Sequence, residues 1–221
     1  MHSSETVSFS AATRARRSRR ALKATSSVPD SVIVDLVEST LLNVPSAFNS
    51  QTTRISILLH DNHRKLWTLT GDVLLNEIGE KLYTARNGHM PSTKEKMATF
   101  GNAYGTILFW DDLAAIKQFK DEAPGIYKDK CEEWATQSNG MHQYHIWVAL
   151  ETFGLGASLQ HYNPLVDEHV RKIWGQPAEW ALRAQMVFGT PVPGAPLPEK
   201  IQKVPVEKRL NVFGAIIENG T

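Results

Sequence analysis

Pro45-Ser46-Ala47-Phe48-Asn49-Ser50-Gln51 lies between two apolar runs of different period. Before it, Val32, Ile33, Leu36, Val37 and Leu41 recur at helical spacing behind Asp30 or Ser31 as the cap. After it, Arg54-Ile55-Ser56-Ile57-Leu58-Leu59 alternates and then becomes wholly apolar, which predicts a strand. Pro45 stops the helix. The stretch itself carries Ser hydroxyls, two side-chain amides and closely approachable backbone around one Phe. Such groups can grip a planar polar ligand. They can equally form an ordinary connection between helix and strand.

Working outward, residues 6–23 read as a helix that delivers a basic cluster at its end. Asp61 caps a helix bearing Leu66, Trp67, Leu69, Val73, Leu74 and Ile78. Residues 84–103 are mixed, with a short helix near Ser92 to Met97. Gly105 to Trp110 is a second strand, and Asp111 or Asp112 caps a helix through Phe119. Pro124-Gly125 opens a long helical segment to about Phe153. Its second half, Tyr144-His145-Ile146-Trp147-Val148-Ala149-Leu150, is apolar nearly all round, as expected of a helix buried on several sides and at a subunit interface. Gly154 to Tyr162 reads as a small, polar loop. A helix from Asn163-Pro164 through Trp174, a strand over 182–189, a Pro-rich crossing over 194–205 and a last strand over Lys208 to Phe213 complete the chain. Helices and strands mix without a βαβ repeat, which predicts an α+β domain.

The chain has 221 residues, 42% of them hydrophobic, so one domain with a full core is expected: an N-terminal extension over 1–8 and a single domain over 9–221. No apolar run is long enough to span a bilayer, and no membrane partner is expected. One cysteine, Cys131, excludes an internal disulfide; it reads as a structural or surface thiol. The net charge is +1, but Arg14, Arg16, Arg17, Arg19, Arg20 and Lys23 crowd into one short segment without an acid. Elsewhere acids outnumber bases. A local anion site fits this distribution better than a nucleic-acid surface. Guanidinium groups pair bidentately with phosphate, and Ser18 adds a hydroxyl. The same Ser- and Arg-rich segment also has the composition of a mitochondrial transit peptide.

Other motifs carry less. Gly154-x-Gly156 lacks a third glycine and follows a helix, so it is no dinucleotide fingerprint. It still suits close approach of backbone to a ligand. His60 and His63, and His142 and His145, are each spaced by three. Without further ligands at a recognisable spacing, they read as satisfied polar or interface groups rather than metal ligands. No nucleophile elbow and no phosphate loop appear. Either the chain only binds, or a cofactor supplies its reactivity.

The Arg-Arg-Ser near the N-terminus, Val44-Pro-Ser-Ala-Phe-Asn-Ser-Gln-Thr-Thr-Arg54 and Leu150-Glu-Thr-Phe-Gly-Leu-Gly-Ala-Ser-Leu-Gln-His-Tyr162 resemble, in this order, the FMN-dependent nitroreductase family. The likeness is strongest to its short fungal and bacterial branch and covers roughly residues 10–214. The resemblance implies a three-layer α-β-α sandwich with a mostly antiparallel sheet, forming an intertwined homodimer with two FMN at the interface. It implies that Arg16, Arg17, Ser18 and Arg20 take the phosphate and ribityl end. Pro45, Ser46, Ala47 and Asn49 would border the ring of the other subunit's FMN, with Gln51 close by. Ser158, Leu159, Gln160 and His161 would line the opposite edge, and Arg209 with Lys208 would return to the phosphate. Many members carry Glu-Gly where this chain has Leu159-Gln160-His161, and longer members carry an extra helical excursion over the flavin. The expected activity is transfer of hydride from NADH or NADPH through FMN to a nitroaromatic, quinone or related acceptor. The alternative is an FMN-binding regulatory protein in redox or lipid signalling. Because cleavage would remove the inferred phosphate clamp, an uncleaved cytosolic protein is expected.

Overall fold

The computed structural model describes residues 7–215. Five strands form one antiparallel sheet: β1 (Leu22–Lys23), β2 (Thr53–Leu59), β3 (Gly105–Asp112), β4 (Gly156–Gln160) and β5 (Trp180–Pro191). β5 is the spine, with β3 and then β2 on one side and β4 and β1 on the other. The helices are α1 (Phe9–Ala15), α2 (Asp30–Asn43), α3 (His60–Thr84), α4 (Thr93–Gly101), α5 (Leu113–Glu122), α6 (Cys131–Thr152) and α7 (Asp167–Trp174).

Alternation along the strands builds two cores, one on each face of the sheet. Leu108 and Trp110 of β3 pack with Leu66, Trp67 and Leu74 of α3, Met97 and Phe100 of α4, and Val170 of α7. Ile107 and Phe109 point the other way, into Ile33 and Val37 of α2 and Ile146 and Leu150 of α6. This is the predicted three-layer α+β sandwich, and it explains why β3 is apolar throughout. On β5, Val187 faces the first core while Ala184, Met186 and Phe188 face the second. Leu182 would break this parity, but the register slips between Phe109 and Trp110, leaving Arg183 as an extra residue. The bulge returns Leu182 to the first core. Arg183 Nε then donates to the buried Asp111 at 2.7 Å.

Three sequence expectations are corrected. The first helix stops at Ala15, not residue 23, and residue 6 lies outside the described residues. Beyond Ala15 there is no apolar stripe to bury, and a helix would stack like charges a turn apart. The expected loop over 154–162 contains β4, because Gly156 to Gln160 finds a full register of partners on β5. The last strand, Lys208 to Phe213, is absent: a 3₁₀ turn, Val206–Lys208, stands at its start. A strand needs a neighbour for its backbone groups, and none pairs with this segment among the described residues.

The histidines are individually satisfied. Thr40 Oγ1 donates to Leu36 O, so it accepts from His145 Nδ1 at 3.0 Å, and His142 Nδ1 donates to Ser138 O at 2.7 Å. His60 bonds Asp30 at 2.8 Å. Cys131 is fully buried. His63 is also fully buried, between Thr106 Oγ1 and the carbonyl of Phe100. Burial holds it neutral and pushes its pKa from 6.5 down to about 4. The unfolded chain therefore binds a proton near pH 6.5 that the folded chain refuses until about pH 4. Stability falls on acidification through that window, by roughly 3 kcal/mol in all. Urea unfolding at pH 7 and pH 5 should show a larger loss for the native protein than for His63→Gln. Equal losses would remove His63 as the cause.

Candidate functional site

The cationic segment leaves α1 in extended form and lies along the outer edge of β4. Ser18 bridges Ala157 in parallel, and Arg19 N donates to Ala157 O at 3.0 Å. This places Ser18 beside Ser158, which is fully buried and accepts from Gln160 Nε2 at 3.2 Å. Leu159 and Gln160 are half-buried and His161 is exposed. The first and third stretches singled out in the sequence thus form one surface.

The cations at that surface divide by what they touch. Arg17 Nη1 donates to the carbonyls of Arg14, Ala15 and Arg16, and its Nε to Pro198 O at 2.9 Å. It fastens the end of α1 to the Pro-rich crossing. Arg19 pairs with Glu151 at 2.8 Å. Arg16 lies over the ring of Trp147 at 4.4 Å. Neither Arg16 nor Arg20 has a side-chain hydrogen bond among the described residues, and Arg20 is exposed. Lys200, which sequence reasoning missed, joins the group by donating to Arg14 O at 2.6 Å and Thr13 O at 3.3 Å. Desolvation, followed by repulsion from Arg17, Arg16 and Arg14, lowers its pKa. That crowding is what an anion would relieve.

The Pro45 to Gln51 stretch folds on itself. Ser46 Oγ accepts from Gln51 N at 3.0 Å, Asn49 Oδ1 accepts from Gln51 Nε2 at 3.0 Å, and a 3₁₀ turn covers Ala47–Asn49. Phe48, Asn49 and Gln51 all have positive φ, between 47° and 54°, a strained choice for side-chain-bearing residues. Phe48 is the post of the loop. It is 61% exposed, yet its ring meets Phe119, Tyr127 and Trp134 at centroid distances of 5.8, 6.0 and 5.9 Å. A cleft of about 390 Å³ opens between Phe48, Asn49, Ser50 and Phe119, Glu122 and Ala123. The Ser50, Thr52 and Thr53 hydroxyls are shut from solvent without partners among the described residues. The aromatic partners come from positions 119, 127 and 134, far apart in sequence, so only Phe48 signalled the cluster.

The loop and the cationic surface stand at opposite ends of α6. Phe48 packs on Trp134, and Arg16 on Trp147. Helix geometry puts those two positions about 20 Å apart along the axis and about 140° apart around it.

The sequence pattern of the nitroreductase family matches residues 13–190. The chain belongs to that family. It is an oxidoreductase of the nitroreductase kind. Nitroreductase CinD from Lactococcus lactis, in its complex with chloramphenicol, is similar with a TM-score of 0.80 at 34% identity, over 93% of this chain and all of that one. The HBN1 protein of Saccharomyces cerevisiae, described as a nitroreductase, is 32% identical over 169 residues, 76% of this chain and 78% of that protein. Nitroreductase FRM2 of the same yeast is 30% identical over 190 residues, 84% of this chain and 88% of that protein.

In this nitroreductase, Arg16, Arg17, Ser18 and Arg20 are brought together with Ser158, Leu159 and Gln160. Within one chain they are kept apart from Pro45, Ser46, Ala47, Asn49 and Gln51. Lys208 and Arg209 lie beyond the matched span and are exposed, and Arg209 Nη2 donates to Gln202 at 2.7 Å. Lys200 is the C-terminal cation that meets the Arg cluster. The signal for it was a lysine two residues after Pro198 in a crossing otherwise read as a spacer.

Proposed function

We propose that the protein is a homodimeric, FMN-dependent NAD(P)H oxidoreductase that reduces nitroaromatic, quinone or related acceptors. The observation that carries this is the split site along α6. A cation-rich, hydroxyl-bearing surface suits the phosphate end of FMN, and a polar loop carrying and followed by buried hydroxyls without partners among the described residues suits the flavin ring. A two-fold copy would bring one subunit's loop to the other's cations. The rest of the chain supports a second copy. β2 has an open outer edge, and Leu42 on α2 is 77% exposed. The tail after Lys200 exposes Ile201, Val206, Leu210, Val212 and Phe213, the last at 92%. Free strand edges and apolar arms are hazards unless a partner covers them. The absent strand over 208–213 would form against that partner, and Lys208 and Arg209 would act from there.

When bound, FMN would supply hydride acceptance and donation. Arg16 and Arg20 would hold its phosphate, Arg17 and Lys200 would fix the segment that carries them, and Ser158 to Gln160 would orient one edge. Among the described residues no helix is long and apolar enough to cross a membrane. We place the protein in the cytosol, because loss of the first residues through the Arg cluster would remove the clamp.

The test is direct. The purified protein should be yellow, release flavin on denaturation, and oxidise NADH or NADPH when 4-nitrophenol-type or quinone acceptors are added. Colourless protein that takes up no added FMN would end the proposal. Tight FMN without turnover for any donor and acceptor would leave a regulatory flavoprotein instead.

A further inference from the structure

α6 turns two side chains, one turn apart, toward the cationic segment. Glu151 takes Arg19 as an ion pair at 2.8 Å. Trp147 takes Arg16, whose guanidinium carbon lies 4.4 Å from the ring centroid. The quadrupole of an aromatic ring attracts a guanidinium placed over its face without any hydrogen-bond acceptor. The contact therefore holds the Arg16 group while its donors make no hydrogen bond among the described residues. Its neighbours differ: Arg17, Arg19 and Lys200 are taken up by carbonyls or by Glu151.

Trp147 is half-buried, and its Nε1 is shut from solvent with no acceptor among the described residues. A leucine would fill space here without stranding a donor. What it would lack is the π face, and tryptophan offers the strongest one. We infer that Trp147 is a positioning residue for the phosphate end of the cofactor: it holds Arg16 through the ring face and leaves the guanidinium N–H groups free for the phosphate. The inference rests on the FMN reading above.

FMN and riboflavin differ only by the phosphate, so their affinity ratio isolates that end. Fluorescence titration of each flavin should show FMN binding to Trp147→Leu about tenfold more weakly than to the native protein, with riboflavin unchanged. Trp147→Phe keeps a weaker π face and should lose less. A merely structural role would weaken both flavins alike and preserve the ratio, which would overturn the inference. Should Trp147→Leu fail to fold, Trp147→Phe decides: a reduced ratio supports the role, and an unchanged one overturns it. A native protein that binds neither flavin overturns the FMN reading itself. A native protein that prefers FMN, with variants that prefer it equally, overturns only the part assigned to Trp147.

Discussion

Arg16→Ala combined with Arg20→Ala should lower FMN affinity by about two to four orders of magnitude. Each lost charge-assisted pair contributes about 1.5–3 kcal/mol, and two are lost. These two are the arginines of the cluster whose side chains have no hydrogen-bonding partner among the described residues. Removing them strands little inside the protein, so melting of the flavin-free form should scarcely change. Arg17→Ala is the contrast. Its guanidinium serves Pro198 and three carbonyls at the end of α1, so it should lower stability as well as flavin retention. Salt offers a further check: screening should weaken FMN binding in the native protein more than in the double variant. Flavin titration and melting of all three proteins settle the matter. A double variant that keeps native FMN affinity would show the phosphate end to lie elsewhere.

Helical spacing in α2 and α3, and the unbroken apolar run of β3, made an α+β domain legible, while the three-layer sandwich followed from the resemblance to the family. Those features are local, and each element buries what its own period exposes. The errors fall where a partner distant in sequence decides. Gly156-Ala157-Ser158 has no β-branched residue and reads as loop. It becomes strand because β5 and the Ser18 segment close on it from both sides. Lys208 to Phe213 has strand composition but no strand to pair with among the described residues. The site shows the same division. Its three stretches were visible as polar or cationic exceptions to apolar runs. Their grouping was not, since it depends on which end of α6 each one meets. Trp147 was invisible as a site residue because it stands in a run that reads as core. Lys200 was invisible because only the folded crossing carries it back to Thr13 and Arg14.

Gly156→Val should cost about 2–3 kcal/mol of stability and most of the flavin affinity together. A Cβ at Gly156 would stand 2.8 Å from Arg19 Cδ, 2.9 Å from Leu22 Cδ2 and 3.0 Å from Arg19 Cβ. The last of these cannot move without its backbone. Crowding of this order in a packed sheet typically costs about 1–3 kcal/mol, and a branched side chain adds to it. The displaced element would be the Arg16 to Lys23 segment, since it lies on β4 through Ser18 and Arg19. Gly189, paired opposite Gly156, is tighter still: its Cβ would meet Lys23 O at 2.5 Å and Tyr104 N at 3.0 Å, both backbone. Gly189→Ala should therefore also unseat the segment, from the β1 side. Two readings of Gly156 make different forecasts. If its small size admits the ligand, Gly156→Val loses FMN while the flavin-free protein melts normally. If it admits the cationic segment, as the distances to Arg19 and Leu22 indicate, melting falls in the flavin-free protein too. Gly189→Ala, whose tightest contacts are with that segment and Tyr104, should then lose flavin in the same way. Native melting in both variants would defeat the account, because the cations proposed to hold the phosphate would then owe their position to something other than this pair of glycines.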